Sequence, residues 1–213
     1  MPARMVLSVL LLACGLLAAP GAAAACRLAV LGDSLTAGYG VAADQSFPAQ
    51  LQRHLDEQGI ACTVVDAGVS GDTSAGGAAR LDWVLADAPT HLLVELGAND
   101  GLRALPVDQL ERNLDDVVRR ARAAGVEVML AGMLAPPNLG RRYGDAFAAV
   151  YRTLARRYDL PLYPFFLEGV AGRPELLIED ALHPNAEGIA RITGRLGPLV
   201  AAWLTSDGSK RVD

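Results

Sequence analysis

Short apolar runs, often β-branched, recur along the chain at 28–31, 63–66, 92–96, 126–130 and 162–166. Several are continuous rather than alternating in polarity, the pattern of strands covered on both faces. Between them the spacing changes. Phe47, Leu51 and Leu55 recur every four residues; Leu110, Leu114, Val117, Val118 and Ala121 form a second stripe, and Phe147, Val150, Tyr151 and Leu154 a third. Such stripes predict amphipathic helices. Gly59 and Gly125 stand where two of these helices should stop, and a last helix is predicted over 186–204. Strands alternating with helices build a parallel sheet with helices on both faces. The expected architecture is α/β: one three-layer α/β/α sandwich around a five-stranded parallel, flavodoxin-like sheet. No internal repeat or linker marks a second domain.

In such a sheet, ligands bind beyond the carboxyl ends of the strands. Those ends carry Gly32-Asp33-Ser34, Ser70-Gly71-Asp72-Thr73, Gly97-Ala98-Asn99-Asp100-Gly101, Ala135-Pro136-Pro137-Asn138 and, after a further loop, Asp180-Ala181-Leu182-His183-Pro184. Singly, each segment has an ordinary explanation. Ser34 or Thr36 reads as a helix cap, and the glycine- and aspartate-containing segments as turns. Asp180 reads as a cap on the last helix with Pro184 in its first turn.

The histidines narrow the choice. There are three, His54, His91 and His183. His54 falls in the first helical stripe beside Arg53 and Asp56 and is expected on the surface. His91 enters the third strand from its amino end. Only His183 lies on the side of Ser34, and Asp180 precedes it by three residues, the spacing of neighbours in a helical turn. Asp180 would hold the far imidazole nitrogen, leaving the near one to take a proton from Ser34. Attack on a carbonyl also needs oxyanion donors, and the backbone N–H groups of Ser34 and Gly71 with the side-chain amide of Asn99 are the candidates. Gly71 suits close approach because it carries no Cβ.

These residues resemble the SGNH, or GDSL-type, hydrolases. Gly32-Asp33-Ser34-Leu35, Gly71, Gly97-Ala98-Asn99-Asp100 and Asp180-Ala181-Leu182-His183 occur in the family's order. The segments 69–77 and 95–103 look like the exported thioesterase I, arylesterase and lysophospholipase L1 subgroup. The resemblance implies Ser34 as nucleophile, Gly71 and Asn99 as oxyanion donors, Asp180 and His183 as orienting acid and base, and neither metal nor cofactor. The expected activity is hydrolysis of a small-molecule ester or thioester. A carbohydrate O-acetyl esterase is the alternative within the fold, and a non-catalytic binding protein the alternative outside enzymology. The loops at 102–106 and 133–139 offer Leu102, Leu105 and Pro137 as apolar walls for an acyl chain, unless they merely pack the loops.

The first 25 residues read differently: Arg4, an apolar run over 5–19, then Pro20, Gly21 and alanines to Ala25. This is the order of a secretory signal cut near Ala24 or Ala25. The apolar run is shorter than the ~20 residues a spanning helix needs. A loose lipobox at Leu11-Leu12-Ala13-Cys14 ranks lower, because it leaves the following alanines unexplained. The expected organisation is a signal peptide over 1–25, a hydrolase domain over 26–204 and a polar tail over 205–213. Removing the signal takes Arg4 and no acid, leaving 18 basic against 24 acidic residues and a net charge of −6. An acidic chain has no reason to grip nucleic acid. The expected product is a periplasmic or secreted monomer with no membrane span. Cys26 and Cys62 remain, each just before one of two neighbouring parallel strands, and a disulfide is expected between them, remote from the catalytic edge.

Overall fold

The computed structural model describes residues 25–206. The predicted signal peptide, apart from Ala25, and most of the predicted tail lie outside the described residues. The strands are β1 (Cys26–Gly32), β2 (Cys62–Gly68), β3 (His91–Glu95), β4 (Glu127–Ala131) and β5 (Leu162–Tyr163). The helices are α1 (Ser34–Ala37), α2 (Phe47–Glu57), α3 (Ser74–Ala79), α4 (Leu81–Ala86), α5 (Ala98–Leu102), α6 (Val107–Ala123), α7 (Arg141–Tyr158) and α8 (Ala186–Ser206). All strand pairs are parallel, in the order β2-β1-β3-β4-β5. This is the flavodoxin-like order, with its switch point between β1 and β3.

The apolar runs are buried for the expected reason. Leu28, Leu31, Leu92, Leu93 and Leu130 are fully buried on the sheet, and Leu51, Leu55, Leu114, Val117, Phe147 and Leu154 fill the helix faces that meet it. Helix α2 packs beside α8, while α6 packs against α3 and α7. Helices α2 and α6 end just before Gly59 and Gly125, both in the left-handed region. No helix among the described residues is long and apolar enough to cross a membrane.

Three details depart from the sequence reading. The fifth strand stops at Tyr163 rather than reaching 166: the chain bends at Pro164, and the Gly132 carbonyl that would extend the ladder accepts from the Phe166 N–H at 2.8 Å. Helix α8 continues two residues past Leu204, to Ser206. His54 is half-buried rather than on the open surface. Its ring packs so closely on Gly197 of α8 that a Cβ there would lie 2.6 Å from it.

The cysteines meet at the amino end of the sheet. Cys26 and Cys62 are register partners on β1 and β2 and are joined by a disulfide, with their Cα atoms 4.5 Å apart. His91 begins β3 at the same end, its ring edge-on to Trp203 and its Nδ1 2.8 Å from Thr90 Oγ1.

Candidate active site

Strand β1 ends at Gly32, where a Cβ would collide with Thr36 and the Glu95 carboxyl. The chain then turns sharply. Asp33 caps α1 by accepting from the Leu35 N–H at 3.0 Å, so Ser34 becomes the first helical residue, not its cap. Ser34 Oγ lies 2.8 Å from His183 Nε2, and His183 Nδ1 lies 2.5 Å from Asp180 Oδ2. With Nδ1–H donated to the carboxylate, Nε2 is left to accept the serine proton.

Asp180 reaches His183 by a route the spacing did not foresee. The segment is not a helical turn: Ala181 has φ +58°, and Asp180 Oδ1 accepts from the N–H groups of Leu182 (2.9 Å) and His183 (3.0 Å). Nor does Asp180 cap α8. Asn185 does so, with its Oδ1 accepting from Gly188 N–H at 2.9 Å. Partial burial opposes ionisation of Asp180. The backbone N–H groups of His183 and Leu182 and the imidazole outweigh that burial, bringing its pKa down to about 2.

The other predicted residues gather on the same edge. Gly71 follows β2 with φ +85°, a conformation that favours glycine, and a Cβ there would meet nothing closer than Arg103 at 3.9 Å. Among the hydrogen bonds of the described residues, neither the Ser34 nor the Gly71 N–H has a protein acceptor. Asn99, on α5, donates its amide to the Asp72 carbonyl at 2.9 Å and to Asp33 Oδ2 at 3.1 Å.

A cleft of about 670 Å³ opens over these groups. It is lined by Ser34, Gly71, Asn99 and His183 and walled by Leu102, Met133, Pro137, Phe165 and Leu182. Leu102 and Pro137 thus stand where the sequence reading put them. Leu105 does not. It does not line the cleft; its N–H bonds the Asp100 carbonyl and its own carbonyl accepts from Tyr143 OH. Among the described residues, no group of three or more His, Cys, Asp or Glu side chains is placed to hold a metal.

Several contributors were missed. The Tyr39 ring stands 4.6 Å from the His183 ring, on the rim of the cleft. Beneath the Asp33-Ser34 turn, buried Glu95 accepts from Thr36 Oγ1 at 2.8 Å. Desolvation and the nearby Asp33 carboxylate hold its pKa well above the usual range, favouring the neutral acid. Asp33 is itself pushed up to about 6 by burial, against the pull of the Leu35 N–H and the Asn99 amide. Asp100 is buried and ties α5 to the start of α3, accepting from Ser74 N–H (2.7 Å) and Oγ (2.5 Å). A signal for these residues existed only in their nearness to the glycine-rich strand ends.

Known proteins resemble this chain in sequence and fold. The chain is 43% identical over 183 residues to the esterase TesA of Pseudomonas aeruginosa, spanning 85% of this chain and 91% of that protein. It is 42% identical to the thioesterase 1/protease 1/lysophospholipase L1 of Escherichia coli, over 86% of this chain and 83% of that one. Among solved structures, the crystal structure of TesA superposes with a TM-score of 0.78 at 43% identity, covering 81% of this chain and 96% of that chain. The psychrotrophic esterase EstA from Pseudoalteromonas sp., solved inhibited by monoethylphosphonate, gives a TM-score of 0.80 at 34% identity, over 84% of this chain and 98% of that one. The family model of GDSL-like lipases and acylhydrolases matches residues 30–191. With the Ser34 turn, the hydrogen-bonded Ser34, His183 and Asp180 and the cleft all inside that span, the chain belongs to the GDSL-like lipase/acylhydrolase family.

Proposed function

We propose that the protein is a serine esterase that hydrolyses carboxylic esters and thioesters through an acyl-enzyme on Ser34. The unbroken line from Ser34 Oγ to His183 to Asp180 carries this reading. His183 Nε2 takes the Ser34 proton as Oγ attacks the substrate carbonyl carbon. The resulting oxyanion is held by the N–H groups of Ser34 and Gly71 and by the Asn99 amide, which turns to it the N–H that otherwise makes its longer bond, to Asp33 Oδ2 at 3.1 Å. His183 then gives its proton to the leaving alcohol or thiol. In the second half, His183 deprotonates a water that attacks the acyl-enzyme, and the acid departs. Asp180 stays ionised throughout and stabilises the imidazolium.

The apolar walls suit an acyl chain, with Leu102 and Pro137 among them. The names of the relatives widen the substrates to aryl esters, thioesters and lysophospholipids. Every group in the scheme comes from one chain, so a monomer suffices. We place the mature enzyme outside the cytoplasm, exported by residues 1–25. Their basic and apolar order and the Cys26–Cys62 disulfide support this.

Hydrolysis of p-nitrophenyl esters from acetate to palmitate, with Ser34→Ala beside the wild type, tests the reading. Activity in the wild type and its loss in the folded variant is the expected result. Equal activity in both would remove Ser34 from the mechanism. A wild type active on acetylated sugars alone would move the substrate to the carbohydrate class. No reaction with any ester or with a serine-directed phosphonate would leave a binding protein.

A further inference from the structure

The three oxyanion donors come from three separate chain segments: the turn after β1, the loop after β2 and helix α5. Such a hole stabilises charge only if its donors are fixed before the charge forms. Strand pairing fixes them only in part: the ladder between β1 and β2 ends at Gly32 and Gly68, and beyond it the Gly32 carbonyl accepts from the Val69 N–H at 3.1 Å. The Asn99 amide bonds both Asp33 and the Asp72 carbonyl, and one further side chain braces the first two segments. Arg80, the residue between α3 and α4, donates Nη2 to the Gly32 carbonyl at 2.8 Å and Nε to Asp72 Oδ2 at 2.6 Å. Gly32 directly precedes the Asp33-Ser34 turn, and Asp72 directly follows Gly71.

The third segment is reached through Asp72. Its backbone carbonyl accepts the Asn99 amide at 2.9 Å, the shorter of that amide's two bonds. The Arg80 and Asp72 side chains are only 21% and 19% exposed, so water competes weakly for their bonds. The fit around Asp72 is also tight. Its carboxylate lies over Gly76, where a Cβ would come within 2.5 Å of Oδ1. A planar fork with donors along two edges can span both acceptors; a single ammonium cannot.

We propose that Arg80, through its bonds to Gly32 and Asp72, is a positioning residue that holds the three oxyanion donors in one geometry. It touches no substrate. The proposal rests on the assignment of Ser34 and Asn99 above. Its loss should act on the transition state and leave ground-state binding alone.

The test is a kinetic double-mutant cycle on a p-nitrophenyl ester, with wild type, Arg80→Met, Asn99→Ala and the double variant, and with Ser34→Ala as a control. Arg80→Met should lower kcat by roughly 10²-fold with KM within about threefold of wild type. In the Asn99→Ala background the same change should cost less than ~10-fold, because part of its effect runs through the missing amide. Asp72→Asn should reproduce the Arg80→Met pattern. Arg80→Lys keeps the charge without the fork and should fall close to Arg80→Met, so it carries the same cycle if Arg80→Met does not fold. Wild-type kcat in Arg80→Lys, or an Arg80 penalty equal in both backgrounds, would overturn the proposal while leaving the Ser34 mechanism standing. Full activity in Ser34→Ala would overturn that mechanism instead.

Discussion

The two ends of the sheet hold the same kinds of residue in opposite circumstances. At the amino end, His91 is buried against Trp203 and Thr90, beside a disulfide. At the carboxyl end, His183 stands in an open cleft between a hydroxyl and a carboxylate. The difference lies in where a parallel sheet leaves its loops. All five strands run the same way, so every carboxyl end delivers a loop to one edge, and the segments that hold Ser34, Gly71, Asn99 and His183 converge there. The first two strands also start level with each other at the far end, and the disulfide joins them there. On the proposed function, one end is for reaction and the other for holding.

The strongest way to break this contrast is at the reacting end. Ser34→Ala or His183→Ala should cost roughly 10⁴-fold or more in kcat, while a thermal melt stays within a few degrees of wild type. A collapse of Tm in step with activity would make these residues structural. Next, Asn99→Ala should cost about 10²–10³-fold in kcat, read from esters at saturation. A smaller effect follows from the cleft wall. Leu182→Trp narrows the groove beside His183 and should lower kcat/KM for long acyl chains about tenfold relative to acetate. An unchanged chain-length profile would place the acyl chain elsewhere.

At the holding end the expectation inverts. Cys26→Ser with Cys62→Ser should lower unfolding free energy by about 2–4 kcal/mol in urea titrations. Below the unfolding transition, kcat and KM should not move, and a change in kcat would contradict the separation of the two ends.

Asp33 and Asp180 sharpen the contrast within the reacting end, with opposite signs. Asp180 is depressed to about 2, so its contribution to stability is present above the unfolded value near 4 and is lost as pH falls through 2. Asp33 is raised to about 6, so its ionisation opposes folding, and its contribution declines as pH rises from about 4 through 6. Urea midpoints across this range should show wild type losing ground to Asp33→Asn as pH rises. A constant difference would contradict the burial of that charge.

Much of the site was legible before any coordinates. With three histidines, only one on the carboxyl side of the sheet, and Asp180 three residues before it, position and spacing were enough to pair Ser34, His183 and Asp180. The reason for the pairing was not legible. It depends on a left-handed Ala181 and two backbone bonds to Asp180, and sequence spacing resolves neither. Leu105 shows the same limit, since it sits in the right loop but does not line the cleft. Arg80 could not be found at all. It is one of many scattered arginines, and its partners, a backbone carbonyl and an aspartate, carry no mark in the sequence.

The central claim is a covalent acyl group on Ser34. Rapid quenching of wild-type enzyme during turnover of a p-nitrophenyl ester, followed by peptide mass spectrometry, measures it directly. The account predicts one acyl mass added to the peptide containing Ser34 and none in Ser34→Ala. Turnover with that peptide unmodified, or with the acyl group on another side chain, would contradict it.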